Sequence, residues 1–340
     1  MAPVIVLFGG PTRERLVSVA SAQHVAPLLG GARCCFWRPD GAVVETTVDE
    51  LAAHERPFER EFAPRAAPAW PAVDAALADW AREGDAVVLL ALHGGAAEDG
   101  TLQARLEAHG LAYTGSGPQA SADAFDKARA RAIARRHGLR VAEAALLDPA
   151  DGDAARAGAR ALLADAGRVV LKPVADGSSL GLHVVSGEAG LDAALDAARA
   201  EGVPYLAEAF VEGVELTVGV VDDGDGPRAL PCSEVRIEAA ASFDYAAKYL
   251  GRGVREITPA EVAPEVAAEA QRAAVVAHRA LGCFGYSRTD VIADAKGPVY
   301  LETNTLPGLT RASFLPQQLA AAGIPMRAFL ASQLTLARRR

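Results

Sequence analysis

Four polar side chains near the carboxyl end of the chain have a spacing that would bring them together. They lie in two short sequences, Arg288-Thr-Asp290 and Glu302-Thr-Asn304. In a β-strand, residues two apart point to the same face of the sheet. Carboxylate and amide oxygens are the hard ligands that Mg²⁺ uses while it holds nucleotide phosphates, and an arginine beside them would stabilise an oxyanion. Either sequence alone is typical of a polar strand face, but together, followed by Pro307-Gly308, they favour a site.

A lysine and a loop of small residues follow an apolar run in the middle of the chain. The segment from Lys172 to Gly181 contains Ser178 and Ser179 and comes directly after Arg168-Val-Val-Leu. A cation at a strand end, followed by free backbone N–H groups, suits a polyphosphate. The residue order of a Walker A loop is absent from the segment, and a Gly-Ser turn in a surface hairpin is the alternative interpretation.

Three other segments would complete a nucleotide site if folding brought them together. Asp126-Lys127 supplies a second cation. Glu208 and Glu215 are seven residues apart at the end of an apolar run, which suits an adenine amino group and ribose hydroxyls, with the intervening backbone pairing the base edge. The sequence from Phe243 to Tyr249 indicates an ordered loop with a lysine and two phenols. Alone, each segment is typical of surface charge or of aromatic packing.

The elements that would position these residues begin with an open α/β domain. The continuously apolar runs at residues 4–8 and 86–92 are each followed by glycines, which predicts parallel strands covered on both faces. The apolar spacing predicts helices over residues 12–29 and 101–109. Ligands of such domains sit at the carboxyl ends of the strands.

The later elements predict two further domains. An Ala-, Arg- and Lys-rich helix is expected to run through about His137, with a strand over residues 168–172. Strands over residues 216–221, 289–293 and 299–302, with a helix over 264–281, form the last part. The predicted domains are residues 1–118, 119–214 and 215–340.

Composition excludes several classes of protein. A chain of 340 residues with 51% hydrophobic residues buries more than one core. Its net charge of −9 opposes a nucleic-acid partner, because phosphate binding needs clustered positive charge. The four cysteines lack metal-ligand spacing and indicate a reducing compartment. The sequence offers no signal peptide and no apolar stretch of the roughly 20 residues that span a bilayer, so we expect a soluble cytoplasmic protein without a membrane partner.

In order along the chain, these segments resemble the D-alanine–D-alanine ligases of the ATP-grasp superfamily. The resemblance runs from Gly9 to about Pro316. It is carried by five segments: Gly9 to Ser18, Leu92-His93-Gly94 with Glu98 to Gln103, Lys172 to Gly181, Asp244 to Tyr249, and Asn304 to Gly308. No single segment is specific, but the ordered set is.

The resemblance implies a role for individual residues. ATP would be held by the side chains of Lys127, Lys172, Ser179, Glu208, Glu215 and Lys248 and by the Ala209, Phe210 and Val211 segment. Two Mg²⁺ ions, with Mn²⁺ as an alternative, would be bound by Asp290, Glu302 and Asn304. Lys248 would lie near the γ-phosphate.

The same resemblance implies two amino-acid pockets. Glu14, assisted by His93, would bind the ammonium group of the first D-alanine, and Ser178 and Tyr249 would join Glu14 in a triad that closes the loop over the site. Arg288 and the Gly308 N–H would form an oxyanion hole. Ser313 and Phe314 would line the pocket for the second D-alanine.

The implied protein is a three-domain α/β ATP-grasp enzyme, expected to be a homodimer, that makes D-alanyl-D-alanine for peptidoglycan through an acyl phosphate. Ala97 stands where the family usually has glycine, which leaves substrate identity open. A related ligase that joins other amino acids, in specialised metabolism or resistance, is therefore one alternative. A catalytically inactive nucleotide-binding homologue is the other, and it is opposed by the retained cations and metal ligands.

Overall fold

The amino-terminal third of the chain folds around a five-stranded sheet. The computed structural model describes residues 3–148, 152–177, 181–237 and 254–339. The strands are β1 (Val4–Gly9), β2 (Arg33–Trp37), β3 (Val43–Thr46), β4 (Val87–Leu92) and β5 (Ala112–Tyr113). Their order is β3-β2-β1-β4-β5, and only β3 is antiparallel to its neighbour. The predicted parallel strands at residues 4–8 and 86–92 are confirmed, and β4 is buried throughout, as expected for a central strand.

Helices around this sheet begin and end where the local sequence dictates. They are α1 (Arg15–Val25), α2 (Val48–Ala52), α3 (Val73–Arg82) and α4 (Thr101–Ala108). The helix predicted over residues 12–29 is shorter than expected, because α1 passes into a 3₁₀ turn at Ala26–Leu28 that contains Pro27. Proline lacks the N–H that would continue the α-helical pattern.

The single helix predicted up to about His137 is two helices, α5 (Pro118–Phe125) and α6 (Lys127–Arg136). Asp126 separates them with an extended backbone, and its carboxylate accepts a hydrogen bond of 2.9 Å from the Arg129 N–H. This is an N-cap, which satisfies one of the donors that the first turn leaves open. The prediction of one helix was wrong because the cap starts a new helix directly before Lys127.

The second sheet is antiparallel, in the order β7-β10-β8-β9. Its strands are β7 (Ala144–Leu147), β8 (Val169–Pro173), β9 (His183–Val185) and β10 (Tyr205–Ala209), and its helices are α7 (Asp153–Ala166) and α8 (Glu188–Glu201). Leu171 and Tyr205 belong to a buried cluster shared with the two helices. Because side chains alternate along a strand, Lys172 and Glu208 point to the opposite face, away from that core.

The third sheet joins elements from two parts of the chain. Its strands are β6 (Arg140–Val141), β11 (Val214–Val221), β12 (Arg228–Ala229), β13 (Ser233–Ile237), β14 (Val254–Ile257), β15 (Tyr286–Asp294) and β16 (Gly297–Asn304). The order is β14-β13-β11-β15-β16-β6, with β12 paired to β11. One helix, α9 (Pro264–Ala280), packs against β15 and β16 and shares a buried cluster with β11. Each sheet falls within one predicted domain, except β6 and the first residue of β11, and the domain bounds stay a prediction.

The last two helices return to the first sheet. They are α10 (Phe314–Ala321) and α11 (Met326–Ala337). Phe329 and Leu330 lie in the same buried cluster as Leu89 of β4. In the described part of the chain no single helix is long and apolar enough to cross a membrane. The helices α10 and α11 together have the length and composition of a membrane span, but the pair is bent by 108°. This return brings the loop before α10 against the carboxyl end of β4.

Candidate active site

The strand register brings four predicted site residues to one sheet face. Arg288 lies opposite Asn304, and Asp290 lies opposite Glu302, in the antiparallel pair β15 and β16. The intervening Thr289 and Thr303 point the other way, where their hydroxyls are 2.9 Å apart and buried. Glu215 shares the polar face, because Thr217 of β11 is opposite Asp290 and Glu215 is two residues along.

On this face, the Arg288 guanidinium forms a bidentate hydrogen bond with the Asp290 carboxylate. Its Nε and Nη2 atoms donate to Asp290 Oδ1 and Oδ2 at 3.0 and 2.8 Å. Thr217 Oγ1 also donates to the carboxylate. A bidentate bond of this kind fixes both groups, so Arg288 is held in one orientation at the edge of the cleft.

The donor set of the same face suits a hard cation. Asp290, Glu302 and Asn304 offer carboxylate and amide oxygens, which Mg²⁺ prefers. In the described residues, no three His, Cys, Asp or Glu side chains are grouped closely enough to hold a metal by themselves. Asn304 Oδ1 accepts a hydrogen bond of 2.7 Å from the Leu306 N–H, and an amide oxygen retains a second lone pair. The chemistry therefore fits magnesium held by this set together with phosphate oxygens or water.

A cleft opens between this face and the first sheet. Its empty volume, including open solvent, is about 650 Å³. Predicted residues that line it are Glu14, His93, Lys127, Arg288, Glu302, Asn304 and Gly308. Of the predicted residues that the structure describes, those outside this lining are Lys172, Glu208, Ala209, Phe210, Val211, Glu215, Asp290, Ser313 and Phe314.

Lys127 joins the second and third sheets at the cleft. It is the first residue of α6 and is 8% exposed. Its Nζ donates to the Asp176 carbonyl at 2.5 Å and lies 3.6 Å from Glu302 Oε2. A lysine so placed offers a cation next to the proposed metal ligands, where phosphate oxygens would accumulate negative charge.

Lys172 and Glu208 form a buried cluster that sequence reasoning had only partly found. Lys172 Nζ is 2.7 Å from Glu208 Oε2, and Arg131 Nη1 donates to Glu208 Oε1 at 2.5 Å. Arg131 Nη2 donates to the Ala142 carbonyl at 2.5 Å. Arg131 was missed, although its place four residues after Lys127 puts both on one face of α6. Glu208 is thus paired with two cations of the protein, Lys172 and Arg131.

Residues 209–211, at the end of β10, form a segment that we call the hinge segment. Two of its N–H groups are hydrogen-bonded within the protein. The Ala209 N–H donates to the Glu143 carbonyl at 2.8 Å, and the Phe210 N–H donates to the Arg168 carbonyl at 2.9 Å. The Arg168 guanidinium lies 3.8 Å from the centre of the Phe210 ring. Those two N–H groups are therefore used inside the protein, and only the remaining groups of the segment, including those of Val211, would pair with a base.

Glu14 lies where two glycines let the backbone come close. It directly precedes α1, and a Cβ atom on Gly94 would lie 2.4 Å from its Oε2. A Cβ on Gly177 would lie 3.0 Å from the same atom. Gly94 also has a φ of +71°, a backbone conformation that is strained for residues with a side chain. The positive φ favours glycine at position 94, and the absence of a side chain at Gly94 and Gly177 lets the segments after β4 and β8 approach one carboxylate.

His93 is buried at the cleft, and both of its ring nitrogens have hydrogen-bond partners. Nδ1 donates to the Leu306 carbonyl at 3.1 Å, and Nε2 is 3.0 Å from Ser21 Oγ. Glu98 Oε1 is 3.8 Å from Nδ1, and Glu98 lines the cleft. Glu98 appeared in the sequence motif without a role. His93 therefore contacts the loop after β16.

The loop after β16 carries Gly308 into the cleft. A Cβ on Gly308 would lie 2.5 Å from Ser313 Oγ, so glycine allows a close turn. Ser313 directly precedes α10, its hydroxyl is 2.8 Å from Thr310 Oγ1, and Phe314 is the first residue of the helix. Ser178, Ser179, Lys248 and Tyr249 lie outside the described residues.

Comparison with known proteins identifies the family. The family described as D-ala D-ala ligase N-terminus matches residues 3–116, and the one described as D-ala D-ala ligase C-terminus matches residues 134–335. D-alanine–D-alanine ligases of Leptospira interrogans and Acidiphilium cryptum are 34% and 38% identical to the chain, covering 96% and 97% of it and 95% and 97% of themselves. A solved D-Ala:D-Ser ligase from Enterococcus faecalis aligns with a TM-score of 0.82 at 26% identity, covering 99% of both chains. The chain therefore belongs to the D-alanine–D-alanine ligase family and has its ATP-grasp fold.

Proposed function

We propose that this protein joins two D-alanine molecules to D-alanyl-D-alanine for peptidoglycan, with ATP converted to ADP and phosphate. One observation carries the proposal: the face of Arg288, Asp290, Glu302 and Asn304 adjoins a cleft that also contains Glu14 and Lys127. A carboxylate that can bind an ammonium group, a lysine that can bind phosphate and a set of metal ligands thus lie at one cleft. That combination suits activation of an amino-acid carboxylate.

The metal ligands would be Asp290, Glu302 and Asn304, holding two Mg²⁺ ions or Mn²⁺ in their place. Bound there, the ions would neutralise phosphate charge and so reduce the repulsion between the triphosphate and a carboxylate. Lys127 adds a fixed cation beside Glu302. Lys172, Glu208 and Glu215 would hold the nucleotide, together with Ser179, Lys248 and the hinge segment.

The site residues have separate tasks in the reaction. Glu14 would bind the ammonium of the first D-alanine and so direct the carboxylate of that D-alanine at the γ-phosphate. The carboxylate oxygen attacks the γ-phosphorus and ADP leaves, which forms an acyl phosphate. The unprotonated amine of the second D-alanine, placed by Ser313 and Phe314, then attacks the acyl carbon and expels inorganic phosphate. Arg288 and the Gly308 N–H stabilise the oxyanion of the tetrahedral intermediate, and loss of one such donor typically costs about 2.7 to 4 kcal/mol. Closure by Ser178 and Tyr249 would exclude water.

Phosphate release across a panel of D- and L-amino acids tests this function. We expect release that depends on ATP, on Mg²⁺ and on D-alanine, with no response to L-alanine. Glu302→Gln should lower turnover strongly and raise the Mg²⁺ concentration that the remaining turnover requires, whereas Glu59→Gln, at an exposed ion pair in the first domain, should match the wild type. No response to D-alanine would contradict the proposal, and a stronger response to another amino acid would favour the alternative ligase.

We also propose a cytoplasmic homodimer. The four cysteines, all within described residues, are free thiols, which is typical of a reducing compartment. Light scattering during gel filtration would measure the mass of the assembly, and a mass near that of one 35.2 kDa chain would contradict dimerisation.

A further inference from the structure

The loop between β16 and α10 is held by the first domain at two residues that flank Gly308. The Leu309 N–H donates to Ser21 Oγ at 3.3 Å, although the two residues are 288 positions apart. On the other side, the Leu306 carbonyl accepts from His93 Nδ1 at 3.1 Å. Ser21 and His93 are themselves 3.0 Å apart. Gly308 thus lies inside a closed set of contacts.

The direction of each hydrogen bond follows from the groups involved. The Leu306 carbonyl only accepts, so Nδ1 of His93 carries the proton. Ser21 Oγ accepts from the Leu309 N–H, which leaves its own proton for His93 Nε2. The path is therefore Leu309 N–H to Ser21, Ser21 O–H to His93, and His93 N–H to Leu306. Every donor has one acceptor, which is the condition for a stable buried network.

Burial makes this network costly to break. Ser21 is fully buried, and His93, Leu306 and Leu309 are 6%, 2% and 2% exposed. Water cannot readily replace a lost partner at such depth, so the loop would shift to satisfy the orphaned groups. A second bond, from His24 Nδ1 to the Leu309 carbonyl at 2.7 Å, reaches the same loop from the next turn of α1.

We propose that Ser21, acting through His93 and Leu309, is a positioning residue that sets the direction of the Gly308 N–H toward the oxyanion. The inference rests on the proposed function, in which that N–H stabilises the tetrahedral intermediate. The network contacts the loop after β16 and does not contact Lys127, Lys172 or Glu302. It includes His93, and the Leu306 N–H donates to Asn304 Oδ1 at 2.7 Å. We therefore expect a small loss in formation of the acyl phosphate and a much larger loss in attack on it.

Ser21→Ala separates these two steps. Formation of the acyl phosphate is measured with D-alanine and ATP as exchange of ¹⁸O between the bridging and non-bridging positions of the β-phosphate, and the second step as the kcat for dipeptide. Ser21→Ala should lower kcat about 10- to 100-fold, since a misplacement of about 1 Å at a reacting group can cost that much. The exchange rate should fall much less than kcat, and the KM for ATP should stay within about twofold of the wild type.

Ser18→Ala is the matched control. Ser18 is one turn earlier on α1, is equally buried, and also makes two hydrogen bonds, to the Gly9 N–H at 2.7 Å and the Ala91 carbonyl at 2.5 Å. These bonds stay inside the first domain. Ser18→Ala should therefore lose comparable stability while keeping the ratio of kcat to exchange rate.

Two further variants keep the proposal testable if Ser21→Ala folds poorly. Ser21→Thr retains the hydroxyl and should restore most of kcat. His24→Ala, at a half-buried position, should lower kcat in the same selective way but less. Equal loss of exchange and kcat in Ser21→Ala or His24→Ala, or an unchanged kcat, would overturn the proposal. A wild-type protein without exchange or dipeptide would instead overturn the proposed function.

Discussion

Arg131→Met is expected to destabilise the protein through the cluster around Glu208. Methionine keeps an apolar stem of similar length but removes the guanidinium from both Glu208 and the Ala142 carbonyl. The side chains of Arg131 and Glu208 are 7% and 5% exposed. Removing one partner of a buried ion pair costs about 3 to 5 kcal/mol. Because Lys172 still neutralises Glu208 at 2.7 Å, we expect the lower end, about 3 kcal/mol.

Thermal and urea unfolding would measure this loss. A change of about 3 kcal/mol corresponds to a fall in Tm of roughly 4 °C in a chain of this size. Arg135→Met is the control, since Arg135 lies one turn later on α6 and its ion pair with Glu143 is exposed at 56% and 74%. That variant should change stability by less than about 1 kcal/mol.

A double variant shows whether the buried charge is the cause. Adding Glu208→Gln to Arg131→Met should lower stability further, because the Lys172 ammonium would then be buried without its carboxylate. If Arg131→Met matches Arg135→Met, or if Glu208→Gln brings no further loss, the reasoning about the cluster is refuted.

Three other changes test the site and its surroundings. Gly94→Ala should abolish most turnover while ATP binding, measured by calorimetry, stays near the wild type, because the added Cβ would lie 2.4 Å from the Glu14 carboxylate; normal activity would contradict the close approach. Burial holds the pKa of His278 at about 4, below its ordinary 6.5. As the pH drops below 6.5, the unfolded state therefore binds a proton that the folded state does not bind. The free energy of unfolding should fall by up to about 3 kcal/mol between pH 6.5 and pH 4. Urea unfolding at several pH values checks this, and a flat profile over that window would contradict it. The Arg140 guanidinium holds the pKa of Asp294 at about 2, below its ordinary 3.8. The ion pair should therefore stabilise the fold by less than about 1 kcal/mol above pH 4, and this stabilisation should be lost as the pH falls toward 2. Arg140→Met should remove that pH dependence, and an unchanged profile in the variant would contradict the assignment.

Local patterns predicted the parts of the site that a single strand or helix decides. The period-two spacing of Arg288 and Asp290 needs only that β15 be extended, and the same is true of Glu302 and Asn304 in β16. The same holds for β1 and β4, whose continuous apolar runs require cover on both sides.

Contacts between distant segments were beyond such patterns. Ser21 looks like any small residue on a helix, and its partner Leu309 is 288 positions away. Arg131 reads as surface charge on a basic helix until β10 brings Glu208 against it. The break at Asp126 was readable as an N-cap in retrospect, but the helix-favouring residues on both sides hid it.

The fate of the carboxylate oxygen of D-alanine tests the central claim most directly. D-alanine labelled with ¹⁸O in both carboxylate oxygens is incubated with ATP and Mg²⁺, and the products are analysed by mass spectrometry. If the carboxylate attacks the γ-phosphate and the second amine then expels phosphate, each inorganic phosphate carries one ¹⁸O atom and the nucleotide product is unlabelled ADP. Unlabelled phosphate, or label in AMP, would contradict activation through an acyl phosphate at this site.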